Sequence, residues 1–342
     1  MQSPTWGLAK RDRRVEPRAF AVDEAPPVLV LVYHHADGNS HCYVPWGPQP
    51  GLPQQTGAYL EDLARSLQPL LPRQCLYLRF DLPWRDPWDG EPEQPSLATR
   101  ELEINFGTKE HRLRKAPTDV QPTYTSVVDL SISEEEGLAR MKAKTRYNVR
   151  LARRRGVQVR AASPREMDRW VRMYHATMER HGKTRHEGRH FRRLFEAARR
   201  APRAATIPGA PPRKHNLRLM MARLHGRALA GMILAVSDDY AVYLYGASSG
   251  ADRRSMPAYL LQWEAMRAAR RLGARRYDLF GLAPDRRAGH PLSGLRRFKE
   301  GFGGHELARR GCWDFPFDLE RYQVIVGREA ADAGFHNRGG QS

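Results

Sequence analysis

Three apolar runs of strand length, at 217–223, 229–236 and 240–247, are separated by very short turns at His225-Gly226 and Asp238-Asp239. Turns that short join only antiparallel neighbours, so this stretch is predicted to form a meander. A meander with one apolar face needs a layer packed on it. Helix-period segments stand on both sides of it in the sequence, which places the chain in the α+β class. With 41% hydrophobic residues in 342, there is enough apolar material for real cores, and wholesale disorder is excluded. The length allows two domains of about 150 residues each.

The flanking segments carry their own start and stop signals. Ser131-Ile-Ser-Glu-Glu-Glu136 reads as a helix N-terminus, its acids facing the positive helix end. That helix is expected to run to Arg155, with Gly156 ending it. Ser163-Pro-Arg-Glu166 is a capping box that opens a second helix, with Met167, Trp170, Val171, Tyr174 and Met178 inward and Gly182 at its end. A short helix at 191–200 and a Pro-rich loop at 202–212 lead into the meander. After it come a helix at 257–272 stopped by Gly273, a strand at 276–280, a short helix at 295–302 and a closing segment at 305–315. Earlier in the chain, 27–34 and 122–130 read as strands and 56–67 as a helix. Residues 43–48 read as turns and 83–95 as a loop. Residues 75–80 read as a strand whose end carries Asp81. Helices, then a meander, a helix and a strand is the element order of a GNAT-like (acyl-CoA N-acyltransferase fold) domain, which is an argument by fold analogy.

The chain carries 57 Lys+Arg against 38 Asp+Glu, a net charge of +19. Such a field attracts polyanions: nucleic acid, an anionic membrane surface or a phosphorylated substrate. The densest basic run is 140–160, with no acid, and apolar residues interrupt it at structured spacings, so it is expected to be a folded face. Only eight of the basic residues are lysine: Lys10, Lys109, Lys115, Lys142, Lys144, Lys183, Lys214 and Lys299. Arginine excess is what codon bias in a GC-rich genome produces, so a position that keeps lysine draws attention. No apolar run approaches a membrane span, and Met1-Gln-Ser-Pro-Thr-Trp6 lacks a signal-peptide pattern. Cys42, Cys75 and Cys312 are few, distant and odd in number, which suggests reduced thiols and a cytoplasmic location.

Several motifs compete. His186-Glu-Gly-Arg-His190 matches the zinc-protease pattern, but Gly188 weakens a helix there and Arg185, Arg189, Arg192 and Arg193 repel a dication. His34, His35, His41 and Cys42 could gather a metal, with a strand-and-turn surface as the plainer reading; no metal site is expected. Nucleotide-binding glycine motifs and the GxSxG nucleophile elbow are absent. The loop Ser248-Ser-Gly-Ala-Asp-Arg-Arg-Ser-Met256 has two arginines but one glycine, a poor pyrophosphate cradle, which argues against coenzyme A as acyl donor.

A series of ordered motifs is more specific. It comprises Lys10 after Gln2-Ser-Pro-Thr-Trp-Gly7, the stretch Lys144-Thr-Arg-Tyr-Asn-Val-Arg-Leu-Ala-Arg-Arg-Arg-Gly156, Tyr243-Leu-Tyr-Gly-Ala-Ser248, Pro257-Ala-Tyr-Leu-Leu-Gln-Trp-Glu264, Tyr277-Asp-Leu-Phe-Gly281 and Gly294-Leu-Arg-Arg-Phe-Lys299. Together they resemble the Fem family (FemA, FemB, FemX) of peptidoglycan bridge-forming aminoacyltransferases, over nearly the whole chain. No long coiled-coil arm is inserted, which is similar to the short, FemX-like type.

The resemblance implies two GNAT-like domains in tandem, 1–130 plus 313–342 and 131–312. It implies transfer of an amino acid from aminoacyl-tRNA to a stem-peptide amine of a UDP-linked or lipid-linked peptidoglycan precursor, with no further cofactor. It also implies a monomer in peripheral contact with the inner membrane face. Lys299 and Phe298 match the family's Phe-Lys pair, Asp81 its first-domain carboxylate and Lys10 a lysine that contacts precursor phosphate. Tyr243, Tyr245, Thr184 and Arg185 or His186 match substrate-contacting positions. The chemistry agrees with those residue types. Aminolysis of a tRNA ester is downhill, Lys299 would stabilise the oxyanion, and Asp81 would orient the amine or take its proton. The basic helix, through Lys142, Lys144, Arg146, Arg150, Arg153 and Arg154, suits tRNA phosphates in a sequence-blind contact. Two other classes stay open at this stage: a non-catalytic RNA-binding protein on a GNAT scaffold, and a CoA-dependent N-acyltransferase.

Overall fold

The computed structural model describes residues 1–22, 25–49, 55–182, 185–201, 215–283 and 293–331. In chain order the elements are α1 (Pro4–Lys10), β1 (Val15–Val22), β2 (Ala25–His34), β3 (Ser40–Val44), α2 (Gly57–Leu67), β4 (Cys75–Arg85), α3 (Leu97–Ile104) and β5 (Arg114–Lys115). Then follow β6 (Tyr124–Asp129), α4 (Glu134–Arg140), α5 (Ala143–Arg154), β7 (Gln158–Ala161), α6 (Met167–Arg180), α7 (Gly188–Arg200), β8 (His215–Leu224), β9 (Arg227–Ser237), β10 (Tyr240–Ser248), α8 (Pro257–Arg271), β11 (Arg276–Asp278) and α9 (Ser293–Glu300). The described chain closes with β12 (His305–Pro316) and α10 (Leu319–Ala331). It divides into two compact units, Met1–Thr123 joined by the chain from Ala308 on, and Tyr124–Leu307. The sequence reading drew the boundaries at 130/131 and 312/313.

In the first unit β1, β2 and β3 pair antiparallel in that order. β3 runs parallel to β4, β4 antiparallel to β12, and β5 antiparallel to β12. The Thr56 hydroxyl accepts from Tyr59 N and starts α2, and Leu60, Leu63, Ala64 and Leu67 then fall on one face. That face packs on Val30, Val32, Val44, Leu78, Phe80 and Phe315 of the strands. The opposite sheet face is covered too, since Gly7 of α1 abuts Leu29, and Tyr322 of α10 packs on Leu76 and Tyr77. This double burial explains why β2 reads as a continuous apolar run instead of alternating.

The second unit holds the expected meander. β7, β8, β9 and β10 pair antiparallel in sequence, β11 lies parallel to β10, and β6 antiparallel to β11. Strand alternation sorts the core into two layers. Met220, Ala222, Met232 and Leu234 face Val149 of α5 and Leu260, Leu261 and Met266 of α8. Leu219, Met221 and Ile233 face Trp170 and Tyr174 of α6 and Phe191 of α7.

Three local expectations need correction. The helix expected from 131 to 155 is two helices, because Met141 turns extended (φ −66°, ψ 145°), buries its side chain and lets Lys142 N donate to Gly301 O. The strand expected to stop at Phe80 continues to Arg85 through pairing with β12, so Asp81 is mid-strand and buried, not a strand-end group. Residues 43–44, expected as a turn, complete β3. The capping boxes at Ser133/Glu136 and Ser163/Glu166 form, and Gly156 and Gly273 take positive φ at helix ends. The Pro-rich loop at 202–212 lies outside the described residues.

Gly231 on β9 leaves room for Trp170 of α6 and Met221 of β8. A Cβ there would stand 2.6 Å from Trp170 Cδ1 and closer still to Met221 Sδ. Gly231→Val is therefore expected to cost about 1–3 kcal/mol through overpacking, read as a lowered urea midpoint with an unchanged slope.

Candidate functional site

In the second unit Lys299 is buried at 4% exposure. Its ammonium donates to the carbonyls of Phe280 and Gly281, the latter at 2.6 Å, and lies 5.7 Å from the Tyr243 ring centroid. Helix α9 delivers this lysine because Phe298 anchors the preceding position, edge-on to Tyr259 at 5.0 Å and to Phe302 at 5.2 Å. The acceptor corner is itself held. Phe280 sits at φ 52°, a conformation costly for a side-chain-bearing residue. Its N–H donates to Asp278 Oδ1 at 2.7 Å. Asp278, fully buried, also accepts from Thr125 Oγ1 and from Tyr240 Oη at 2.8 Å.

Tyr243 and Tyr245 part company. The register of β10 on β9 shifts between them, Tyr243 opposing Leu234 and Tyr245 opposing Ile233, so Leu244 is the extra residue of a bulge. Tyr243 packs with the α5–α8 layer, beside Lys299, and its hydroxyl fills the place a Cβ on Gly246 would take. Burial pushes that hydroxyl up to about 12, so it stays protonated. Tyr245 packs with the α6–α7 layer, its ring against His186, His190, Phe191 and Tyr174. The His190 Nε2 atom is 3.1 Å from Tyr245 Oη, and His175 Nε2 donates to His186 O at 3.0 Å. The expected substrate-contacting residues of this unit thus form two groups, Lys299–Phe298–Tyr243 and Tyr245–His186. Arg185 is exposed near the second group in sequence, and Thr184 lies outside the described residues.

The zinc-protease pattern does not arrive on one helix. α7 begins at Gly188, after His186, and Glu187 pairs with Arg189 at 2.8 Å. The two imidazoles stack on each other at 4.3 Å. In the first unit His41 is sandwiched between Tyr33 and Tyr77 at 4.9 and 5.2 Å, and burial lowers it to about 3.

The basic helix is only partly a free face. Arg146 Nη1 donates to the carbonyls of Leu138, Ala139 and Met141, closing the end of α4. Arg153 pairs with Glu264 at 2.7 Å and Lys142 with Glu300 at 3.0 Å. Arg154 lies over the Tyr147 ring, while Lys144 and Arg150 are exposed on α5.

The first unit holds Asp81 and Lys10. Tyr43 Oη donates to Asp81 Oδ2 at 2.5 Å. Burial drives the Asp81 carboxyl up to about 7, opposed by the Tyr43 bond, reinforced by Asp119 and moderated by Lys115 and Arg309. Lys115 in turn bonds Asp119 at 2.6 Å and Cys312 O at 3.0 Å. The backbone of Asp81 accepts from Gly47 N, in the turn whose Pro45 carbonyl takes a bond from Gln2 at 2.8 Å. Gln2 also bonds both backbone groups of Leu29, and so seats α1, which carries Lys10. Lys10 lies 5.1 Å from the Trp6 ring centroid, and burial lowers its pKa. Sequence reasoning missed Asp278, Tyr43, Lys115, Asp119 and Arg309. The available signals were that Lys115 belongs to the small set of retained lysines and that Asp278 stands inside the Tyr277-Asp-Leu-Phe-Gly281 motif.

Comparison with known proteins follows from this geometry. An acetyltransferase (GNAT) domain model matches residues 139–299, ending on Lys299. The FemAB family model matches residues 1–199, more than half of the sequence, and the chain belongs to that family. The lipid II:glycine glycyltransferase of Staphylococcus haemolyticus (strain JCSC1435) is 23% identical over 259 residues, 60% of this chain and 61% of that protein. Its namesake in Staphylococcus epidermidis (strain RP62A) is 22% identical over 288 residues, 69% of each chain. The chain therefore spans 61% of the first relative's length. Among solved structures, FemX superposes with a TM-score of 0.74 at 18% identity, over 95% of this chain and 94% of that one. L-PGS from Bacillus licheniformis gives 0.51 at 10% identity, over 92% and 89%. The fold is α+β with GNAT-like domains in tandem. Among the described residues no helix is long and apolar enough to cross a membrane.

Two outcomes are expected. Asp81 holds its proton in the folded state up to about 7 against an ordinary 3.8. Its contribution is favourable below the ordinary value and is lost as pH rises through the folded one. Melting temperatures of the native chain should therefore fall relative to Asp81→Asn across that window. Asp278 Oδ1 accepts both the Phe280 N–H and the Thr125 hydroxyl, so Asp278→Ala leaves buried donors unpaired. That variant should lower stability by about 1–3 kcal/mol, measured by urea unfolding.

Proposed function

We propose that this chain is an aminoacyltransferase acting on a peptidoglycan precursor. It takes an amino acid from aminoacyl-tRNA and passes it to an amine of the stem peptide. The observation that carries the reading is FemAB family membership together with a buried, doubly hydrogen-bonded lysine at the family's Phe-Lys position. The relatives' name, lipid II:glycine glycyltransferase, supports a lipid-linked acceptor.

The reaction asks for a nucleophilic amine, a carbonyl that can bear negative charge, and a ribose leaving group. The amine nitrogen bonds the ester carbon, the C–O bond to ribose breaks, and the amine proton passes to the departing oxygen. The ester supplies the driving force, so no further cofactor is assigned. Lys299 provides a cation whose position is set by backbone carbonyls and not by a mobile surface, which is the kind of preorganisation that stabilises an oxyanion. Asp81, poised near neutrality by burial, can exchange a proton at working pH. Lys10 is assigned to the precursor phosphate. Lys144, Arg150 and Arg154 are the residues of the basic helix best suited to tRNA phosphates, since Lys142, Arg146 and Arg153 already serve the fold.

The test is incubation of the purified protein with charged tRNA and either lipid II or UDP-muramyl pentapeptide, read by mass spectrometry. A precursor heavier by one aminoacyl residue is expected. Lys299→Ala should lower kcat by about 10²–10³ with a smaller change in KM. No mass increase with any amino acid, or full activity in Lys299→Ala, would overturn the proposal.

A further inference from the structure

Strand alternation sets the surroundings of Asp81. On β3, Cys42 and Val44 turn into the layer under α2, as do Leu78, Phe80 and Leu82 on β4. Tyr43, Arg79 and Asp81 therefore share the opposite sheet face. β3 and β4 run parallel with Tyr43 opposite Arg79, and from there the Tyr43 hydroxyl reaches the carboxyl two residues further along β4. The distance to Oδ2 is 2.5 Å, and this is the one hydrogen bond to the Asp81 carboxyl among the described residues. Tyr43 is buried, and burial raises its hydroxyl well above the ordinary value, so it stays protonated and donates.

The other charged and titratable groups around Asp81 are engaged elsewhere. Arg79 holds Asp314 and Glu329. Lys115 bonds Asp119 and Cys312 O. Asp119 Oδ1 also accepts from Cys312 N at 2.6 Å, and Cys312 lies opposite Asp81 in the β4–β12 pairing. Gly311 sits at φ 68°, and a Cβ there would collide with the Asp119 carboxylate, so that charge is fixed in place by backbone. Arg309 lies over the Trp46 ring at 4.6 Å. Burial raises the Cys312 thiol, whose sulfur accepts from Val120 N at 3.3 Å. Gln121 is the other polar side chain against the Tyr43 hydroxyl.

Asp119, Lys115 and Arg309 act on Asp81 through space, whereas Tyr43 touches it. A hydroxyl on Oδ2 fixes the plane of the carboxyl and leaves Oδ1 for an incoming N–H. It also stabilises the ionised form, the one that accepts a proton. Burial and Asp119 pull towards the protonated form. Removing the hydroxyl leaves that pull without its one direct opponent.

We infer that Tyr43 is a positioning residue for the transfer reaction, orienting the Asp81 carboxyl and holding it ionised so that Oδ1 takes a proton from the acceptor ammonium. The proton leaves nitrogen for Oδ1, the carboxylate becomes a neutral acid, and the amine keeps the lone pair that attacks the ester. The role in turnover rests on the aminoacyltransferase reading. The hold of Tyr43 on Asp81 does not, and it is measured without turnover.

The first test is urea unfolding against pH for the native protein, Tyr43→Phe, Asp81→Asn and the double variant Y43F/D81N. The stability contributed by protonated Asp81 is full below its ordinary 3.8 and is lost as pH rises through the folded value of about 7. Without the donor the folded value rises further. The loss in Tyr43→Phe, read against Y43F/D81N, should therefore extend about one pH unit higher than the loss in the native protein, read against Asp81→Asn. The second test is the pH profile of transfer. The kcat/KM of Tyr43→Phe should be about five- to tenfold lower at pH 7, with the deficit closing as pH rises. A merely structural role would lower kcat/KM equally at every pH. That outcome, or a stability window unmoved in Tyr43→Phe, would overturn the inference. A shifted window in a protein without transfer activity would sustain the hold of Tyr43 on Asp81 while removing the proposed function.

Discussion

An ammonium buried against two backbone carbonyls organises the second unit. In that place carbonyl dipoles replace the water that the Lys299 ammonium gives up on burial. Those carbonyls face it only because Phe280 holds a left-handed conformation. Phe280 holds it because a buried carboxylate takes its N–H, and that carboxylate is satisfied by Thr125 and Tyr240. The chain of dependence runs from the first strand of the unit, through the end of the short parallel strand, to helix α9. Residues far apart in sequence therefore act as one structural object.

The β10 bulge adds a second constraint. Without it Tyr243 and Tyr245, two residues apart, would share a sheet face. With it they serve opposite layers, one beside the lysine and one among the histidines of the α6–α7 side. A family match carried residue by residue treated these tyrosines as a pair. The strand geometry makes them members of two separate surroundings, with the sheet between them.

Much of the second unit was legible in sequence because its signals are local. Short turns, capping boxes and glycine stops are written within a few residues of the elements they define, and the meander, α6 and α8 followed from them. What escaped was decided at long range. Met141 breaks the basic helix because its side chain is taken into a core assembled from β6, α8 and α5. Asp81 looked like a strand-end carboxylate because a Pro and a Trp follow it, yet pairing with a strand more than 200 residues later carries β4 past it. β1, α3 and α10 carry few inward residues of their own, and their placement depends on partners elsewhere in the first unit. Among the described residues, those named from family motifs fall on helices and strands, except Arg185 and His186, which precede α7. Their supporting shell was announced only in part, since Asp278 stands inside the Tyr277–Gly281 motif while no motif marks the Tyr43–Asp119–Lys115 group.

The carbonyl cap that Arg146 places on α4 bears on how the basic helix should be interrogated. Three of its cations are already spent on the protein's own backbone and carboxylates. A uniform charge-removal scan across it would mix loss of architecture with loss of affinity, and the two would carry the same sign. Lys144 and Arg150, exposed and outside those bonds, report on electrostatics alone. The apparent density of positive charge on this helix therefore overstates, roughly twofold, how much of it an incoming polyanion can use.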